Sequence, residues 1–300
     1  MSRTGFAVPV SGPWATPENL RRVAQRAEEL GYASLWTFQR LLYPVGHPMG
    51  PTYRSVQDPV VTLAHLSGLT SRAELGVAVV NAFVQPVVLA KQLATLQTLS
   101  GGRLLAGIGL GWLPEEFAAA GVGFDGRGRR GEEFVQVLRA CWEQEVVAHQ
   151  GEFYSVPESY LDPKPLPGPP PVLLGGAADR ALRRAGRIAD GWISSSREDL
   201  SGIGEKIYIV KAAAEKAGRD PEALRIVVRG VTKLGGRERA PLVGTADQIR
   251  QDVADLFGQG VTDVFHDLNF DADVVTAAPQ EALRRAEETL DALAPPGPGS

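Results

Sequence analysis

Between Glu74 and Trp112 the chain reads ELGVAVVNAFVQPVVLAKQLATLQTLSGGRLLAGIGLGW. That stretch confines the fold to one in which parallel strands are joined through helices. Glu74 to Val80 is almost wholly apolar, the pattern of a strand covered on both faces. Pro86 suits a first helical turn, where a missing N–H costs nothing, and Leu89, Leu93 and Leu96 recur at helical spacing. Ser100-Gly101-Gly102 stops that helix. Arg103 to Leu110 is again short and apolar, and it runs into Gly109 and Gly111. The unit is βαβ, and glycine at the carboxyl end of its second strand predicts close approach of something flat or phosphorylated.

The same alternation runs through the rest of the chain. Strands are expected at Gly5–Val10, Ala33–Phe38, Val172–Gly175, Trp192–Ser195, Leu224–Leu234 and Thr262–Leu268. A helix capped by Thr16 presents Leu20, Val23, Ala24, Ala27 and Leu30 on one face and ends at Gly31. Further helices are expected at 58–69, 131–143, 178–188, 202–217, 245–257 and 279–293, and Thr245 with Gln248 matches a capping box. Glu145–Phe153 reads as a small hairpin, and the proline-dense 162–171 must be extended. Eight strands alternating with helices predict an α/β fold, a (β/α)8 TIM barrel with insertions, occupying residues 1–294 with a flexible tail at 295–300. The rival is an open doubly wound sheet. It needs a dinucleotide fingerprint, and in GIGLGW the third glycine position falls on Trp112.

Composition narrows the function. An apolar content of 44 % supports a large buried core, and 31 basic against 35 acidic residues give no reason to expect nucleic acid or an anionic membrane as partner. A single cysteine, Cys141, excludes an internal disulfide, and the amino terminus lacks the apolar core of a signal peptide, so the expected setting is the cytoplasm. His47, His65, His149 and His266 show no metal-ligand spacing, so no metal is expected. Cys141 is expected to be a buried, inert thiol, while His266 falls near the end of the last strand with its direction open.

Three segments, LAKQLATLQTLSGGRLLAGIGLGW (89–112), PPPVLLGGAADRALRRAGRIADGWI (169–193) and VGTADQIRQDVADLFGQGVTDVFHDL (243–268), closely resemble the luciferase-like monooxygenase superfamily. The resemblance is greatest to members that use the deazaflavin coenzyme F420 or FMN. It implies a bacterial luciferase-like barrel and an F420-dependent oxidoreductase that moves a hydride between the deazaflavin and a small organic substrate. The alternative on the same barrel is an FMN-dependent two-component monooxygenase, and a second is a flavin-binding protein without turnover. A homodimer is a further implication.

The resemblance also assigns places to residues. Gly175, Gly176 and Ala177, opening a helix, match the loop that holds the cofactor phosphate; the alternative is a tight strand–helix turn. Ala78, Val79 and Asn81 match a bulge that supports the ring, with the Ala78–Val79 peptide cis; the alternative is an ordinary buried strand. Gly109 and Gly111 border the same place. Gln39 and Arg40 stand where relatives carry an Asp-His pair, and Trp112 stands where a sugar-phosphate dehydrogenase relative carries a catalytic glutamate. Glutamine cannot shuttle a proton and arginine stays charged, so hydride transfer positioned by hydrogen bonds fits better than histidine acid–base chemistry. Arg40 is expected to meet substrate or cofactor, or to form a surface ion pair. Trp112 is expected to wall an apolar pocket, or to be core. Arg127, Arg129 and Arg130 are expected to be solvated surface or to meet an acidic cofactor tail.

Overall fold

Eight parallel strands close on themselves: β1 Arg3–Ala7, β2 Ser34–Thr37, β3 Glu74–Asn81, β4 Leu104–Gly109, β5 Val172–Gly175, β6 Gly191–Ile193, β7 Arg225–Val231 and β8 Asp263–Asp267. The computed structural model describes residues 2–236 and 238–296. Consecutive strands are neighbours throughout, and the cylinder closes where β1 pairs with β8, Arg3 opposite Asp263 and Phe6 opposite His266. The helices are α1 Pro17–Glu29, α2 Pro59–Ser67, α3 Pro86–Leu99, α4 Pro114–Ala119, α5 Arg127–Glu143, α6 Asp179–Ile188, α7 Ile203–Lys216, α8 Ala246–Gly258, α9 Ala272–Val275 and α10 Pro279–Ala292. None among the described residues is long and apolar enough to cross a membrane.

Local chemistry explains the boundaries. Thr16 accepts from Asn19 N at the start of α1, and Thr245 and Gln248 form the full capping box of α8. The expected fifth strand falls as predicted, and several other expected elements shift. β1 ends at Ala7 rather than Val10, because Val8 N already donates to Trp36 O and Val10 N turns to Asn269 Oδ1, 3.1 Å away. β7 ends at Val231, after which Lys233–Leu234 pairs separately with Val243–Gly244. The hairpin pairs Val146–Gln150 with Ser155–Tyr160. The segment 113–130, read as loop, contains α4 and the first turn of α5. Residues 297–300 of the expected tail lie outside the described residues.

Inside the cylinder one residue from every strand forms an apolar layer: Ala7, Trp36, Ala78, Leu105, Leu173, Ile193, Val227 and Phe265. Trp36 stacks on Phe265 with ring centroids 4.7 Å apart. That pair fits only because Gly76 is bare, since a Cβ there would overlap the Trp36 ring. Below this layer, at the amino ends of the strands, Arg225 donates to Glu74 Oε2 at 2.5 Å and Asp263 Oδ1 at 2.6 Å, with Arg3 bracing both carboxylates. These paired ions occupy the floor of the barrel at the amino ends of the strands.

Candidate active site

A cavity of about 390 Å³ opens at the carboxyl ends. Its lining includes Gln39, Arg40, Ala78, Val79, Asn81, Gly109, Gly111, Trp112, Gly175, Gly176 and Ala177, so the residues assigned above to cofactor and substrate meet in one place. The first wall is a shelf. Pairing of β3 with β4 slips between Val77 and Val80, and the Ala78–Val79 peptide within the slip is cis. β4 accommodates this through its glycines: a Cβ on Gly107 would overlap Val77 O, and one on Gly109 would overlap Val79. Gly109 and Gly111 both border the cavity, and each is also required by the protein itself: a Cβ would meet Val79 and Asn81 at Gly109 and Phe117 at Gly111, whose φ is +73°. Asn81 is held through both its backbone N and its Nδ2, which donate to Gln39 Oε1 at 2.8 and 3.2 Å. With its oxygen committed, Gln39 has its amide N–H groups left to offer.

The second wall is the turn from β5 into α6. Gly176 has φ +142° and a Cβ there would come within 2.5 Å of Ala181, so close helix packing requires this glycine. Its carbonyl accepts from Trp192 Nε1 at 2.8 Å, which fixes the loop. No side chain caps α6. Its first N–H groups therefore have no side-chain acceptor and attract anions. Ser194, Ser195 and Ser196, following β6, line the adjacent wall.

The third wall is aromatic and cationic. The Arg40 guanidinium packs in the corner formed by the edge-to-face rings of Tyr53 and Trp112, 4.9 and 4.7 Å from their centroids. It pairs at 2.8 Å with Glu116, the two side chains being 5 % and 1 % exposed. Arg40 thus forms a buried pair rather than a surface one. Burial pushes the Glu116 carboxyl up, while Leu41 N–H and Arg40 pull it back. Trp112 is 47 % exposed at the mouth, so it is a wall and not core.

Arg229, which the sequence reading passed over, reaches the cavity from β7 among Phe38, Phe265 and Phe270, its guanidinium 5.0–5.6 Å from their centroids. Its Nε faces Asp267 Oδ2 at 3.1 Å. Asp267 Oδ1 in turn accepts from both Asn269 N and Asn269 Nδ2 at 2.9 Å. A signal for this pair was present: a lone cation inside the apolar run RIVVRGV and a lone carboxylate closing VFHD both demand partners.

Other singled-out residues lie elsewhere. Cys141 is fully buried and its thiol is pushed up by burial. Arg129 pairs with Glu152, Arg130 donates to Gly123 O, and Arg127 donates to Phe124 O and covers the Phe124 ring, so this cluster is engaged with its own chain. His266 is buried outside the cylinder, beside Ile249 and Phe257, with Nδ1 2.9 Å from Thr232 Oγ1. Burial lowers its pKa from 6.5 to about 4. As pH falls below 6.5 the unfolded chain takes up this proton before the folded one does. Its contribution is therefore complete above that pH and is lost toward pH 4. Between pH 7 and pH 4.5 wild type should lose on the order of 2–3 kcal/mol more than His266→Gln, read from urea unfolding at both values.

A sequence model of the luciferase-like monooxygenase family matches residues 3–240. An uncharacterised protein of Mycobacterium tuberculosis is 33 % identical over 223 residues, 69 % of this chain and 78 % of that one. An FMNH2-dependent dimethylsulfone monooxygenase of Pseudomonas fluorescens is 30 % identical over 251 residues, 82 % of this chain and 66 % of that one. The structure of an F420-dependent secondary alcohol dehydrogenase bound to an F420–acetone adduct superposes with a TM-score of 0.74 at 15 % identity, covering 97 % of this chain and 99 % of that one. With its closed eight-stranded parallel barrel and its match across most of the sequence, this chain belongs to the luciferase-like monooxygenase family.

Proposed function

We propose that the cavity seats a deazaflavin of the F420 kind and that a hydride passes between its ring and a small organic substrate held near Trp112, Gln39 and Arg40. The observation carrying this reading is that a flat apolar shelf and an N–H-rich loop meet in one cavity whose charged groups are already paired, Arg40 with Glu116 and Arg229 with Asp267. Without an uncommitted acid or base, the wall is suited to position reactants, and a bound redox ring supplies the hydride exchange. Ala78 and Val79 would support the ring's face, with Asn81 and Gln39 at its edge. The N–H groups of Gly176 and Ala177, with the hydroxyl-bearing turn Ser194–Ser196, would take the phosphate. Support for an acidic tail comes from Arg180 and Arg197, both exposed and neither in an ion pair among the described residues. Arg180 lies in the first turn of α6, and Arg197 sits 5.9 Å from the Trp112 ring.

A second reading, a two-component monooxygenase fed with reduced FMN, is favoured by the 30 % identical relative of that activity. Fluorescence quenching of purified protein by oxidised F420 and, separately, by FMN distinguishes the two. F420 should bind at least about tenfold more tightly than FMN, a difference of about 1.4 kcal/mol. Arg180→Glu with Arg197→Glu should weaken F420 alone. Preference for FMN would move the assignment to the monooxygenase. Binding without reduction or oxidation by any partner would support a carrier, and binding of neither would remove Gly175–Ala177 as a phosphate loop.

A further inference from the structure

Arg229 is the one charged wall group that the cofactor reading leaves without a task. It lies across the cavity from the shelf, 8 % exposed, enclosed by three phenylalanine rings. Its Nε addresses Asp267, whereas its two terminal nitrogens form no hydrogen bond with protein among the described residues. Those two nitrogens carry four N–H donors that open onto the cavity without a protein acceptor, so an acceptor brought by a ligand would meet charged donors in a largely water-poor wall. Asp267 is held by Asn269, which itself donates to Val8 O and accepts from Val10 N, so the pair is braced against the segment that follows β1.

We infer that Arg229 is the substrate anchor of this cavity, and that the substrate is a neutral, planar, largely apolar compound whose carbonyl oxygen accepts from its terminal nitrogens. This rests on reading the cavity as an oxidoreductase site. The charge balance argues for a neutral partner: Asp267 offsets Arg229 and Glu116 offsets Arg40, so an added carboxylate would bring an uncompensated charge into a wall already balanced. Shape argues for a planar body. Phe38 and Phe270 present their rings to this guanidinium, and Tyr53 and Trp112 extend the aromatic wall, with Tyr53 5.8 Å from Phe270 and 6.2 Å from Trp112. A guanidinium discriminates sharply between a carbonyl compound and its hydrocarbon isostere, because only the former satisfies the idle donors. Arg229 thus acts on which compound binds and how it is turned, and the redox step stays with the cofactor.

Equilibrium dialysis of the full chain against three bicyclic probes tests this: 1-acetonaphthone, naphthalene and 1-naphthoate. Wild type should bind the ketone at least about tenfold more tightly than the hydrocarbon and more tightly than the carboxylate. Because Arg229→Gln alone strands Asp267 and risks unfolding, the informative variant is the charge-neutral Arg229→Gln/Asp267→Asn, with Arg229→Lys as the conservative control. In the neutral double variant the ketone's advantage should fall below about threefold with naphthalene affinity unchanged, and lysine should restore part of it. Equal affinity for ketone and hydrocarbon, preference for the carboxylate, no binding of any probe, or a folded double variant that keeps the ketone preference would each overturn the inference. The F420 and FMN titrations on the same proteins separate the two claims. Loss of cofactor binding in wild type would sink the cofactor assignment while leaving the probe preference measurable.

Discussion

The Glu116→Gln protein is expected to be about 3–5 kcal/mol less stable than wild type, a large share of the stability of any domain. The substitution preserves shape but leaves the Arg40 guanidinium charged, almost fully buried and without the one carboxylate that pairs with it among the described residues, 2.8 Å away. Leu41 N, which donates to Glu116 Oε1 at 2.7 Å, keeps an acceptor, so the loss reports the charge. The control is Arg40→Met/Glu116→Met. Removing both charges should recover most of the loss, since a buried pair contributes little net stability over apolar groups of similar size. Urea unfolding of the three proteins decides it. If the single variant costs under about 1 kcal/mol, water reaches Arg40 and the pair is not shielded by the aromatic corner. If the double variant is as unstable as the single one, the pair's value lies in side-chain packing instead.

The Gly107→Ala protein should lose on the order of 3 kcal/mol or more and, with it, the ring shelf. Overpacking in a core usually costs about 1–3 kcal/mol because a side chain must yield. Here the added methyl would meet the backbone carbonyl of Val77 at the start of the bulge, and a carbonyl in a strand cannot turn aside. β3 would have to move where Ala78 and Val79 enter the cavity. Cofactor quenching should therefore fall along with thermal stability. Gly101→Ala offers the contrast, since a Cβ there meets nothing within 4 Å, and its cost is confined to backbone strain at φ +67°. Full cofactor affinity in a folded Gly107→Ala protein would show that the shelf does not depend on this glycine.

The barrel was legible because its strands are short apolar runs and its helices are capped by recognisable residues such as Thr16 and Thr245. Strand ends were harder. Whether Val8 and Val10 extend a strand depends on Asn269, which is 259 residues from Val10 and accepts its N–H. The cavity's membership was also legible, yet its chemistry was only half so. Gly109 was visible as a glycine at a strand end, but the reason for it lies on β3, which the β4 sequence does not mention. Arg40 was open between a substrate or cofactor contact and a surface ion pair, because Glu116, its buried partner, stands on a short helix within a segment that shows no helical period. Arg229 and Asp267 are 38 positions apart and meet only when β7 and β8 pair, Val231 opposite Asp267. Long-range pairing of this kind leaves a trace in each strand as an unexplained charge, without naming the partner.

Around the cylinder, the proposed cofactor positions and most of the proposed substrate positions occupy different arcs. The shelf, the loop and the serines follow β3, β4, β5 and β6, which are consecutive neighbours, while Phe38, Arg40, Arg229 and Phe270 belong to the complementary arc of β7, β8, β1 and β2 or to the turns that leave it. Two residues cross between the arcs: Trp112, which follows β4 and walls the substrate side, and Gln39, which follows β2 and bonds Asn81 at the shelf. A chain built this way can drift in what it accepts through changes on one half of the ring while the other half is held constant by selection. Descendants of such a barrel would be expected to share a prosthetic partner long after their substrates have ceased to resemble one another.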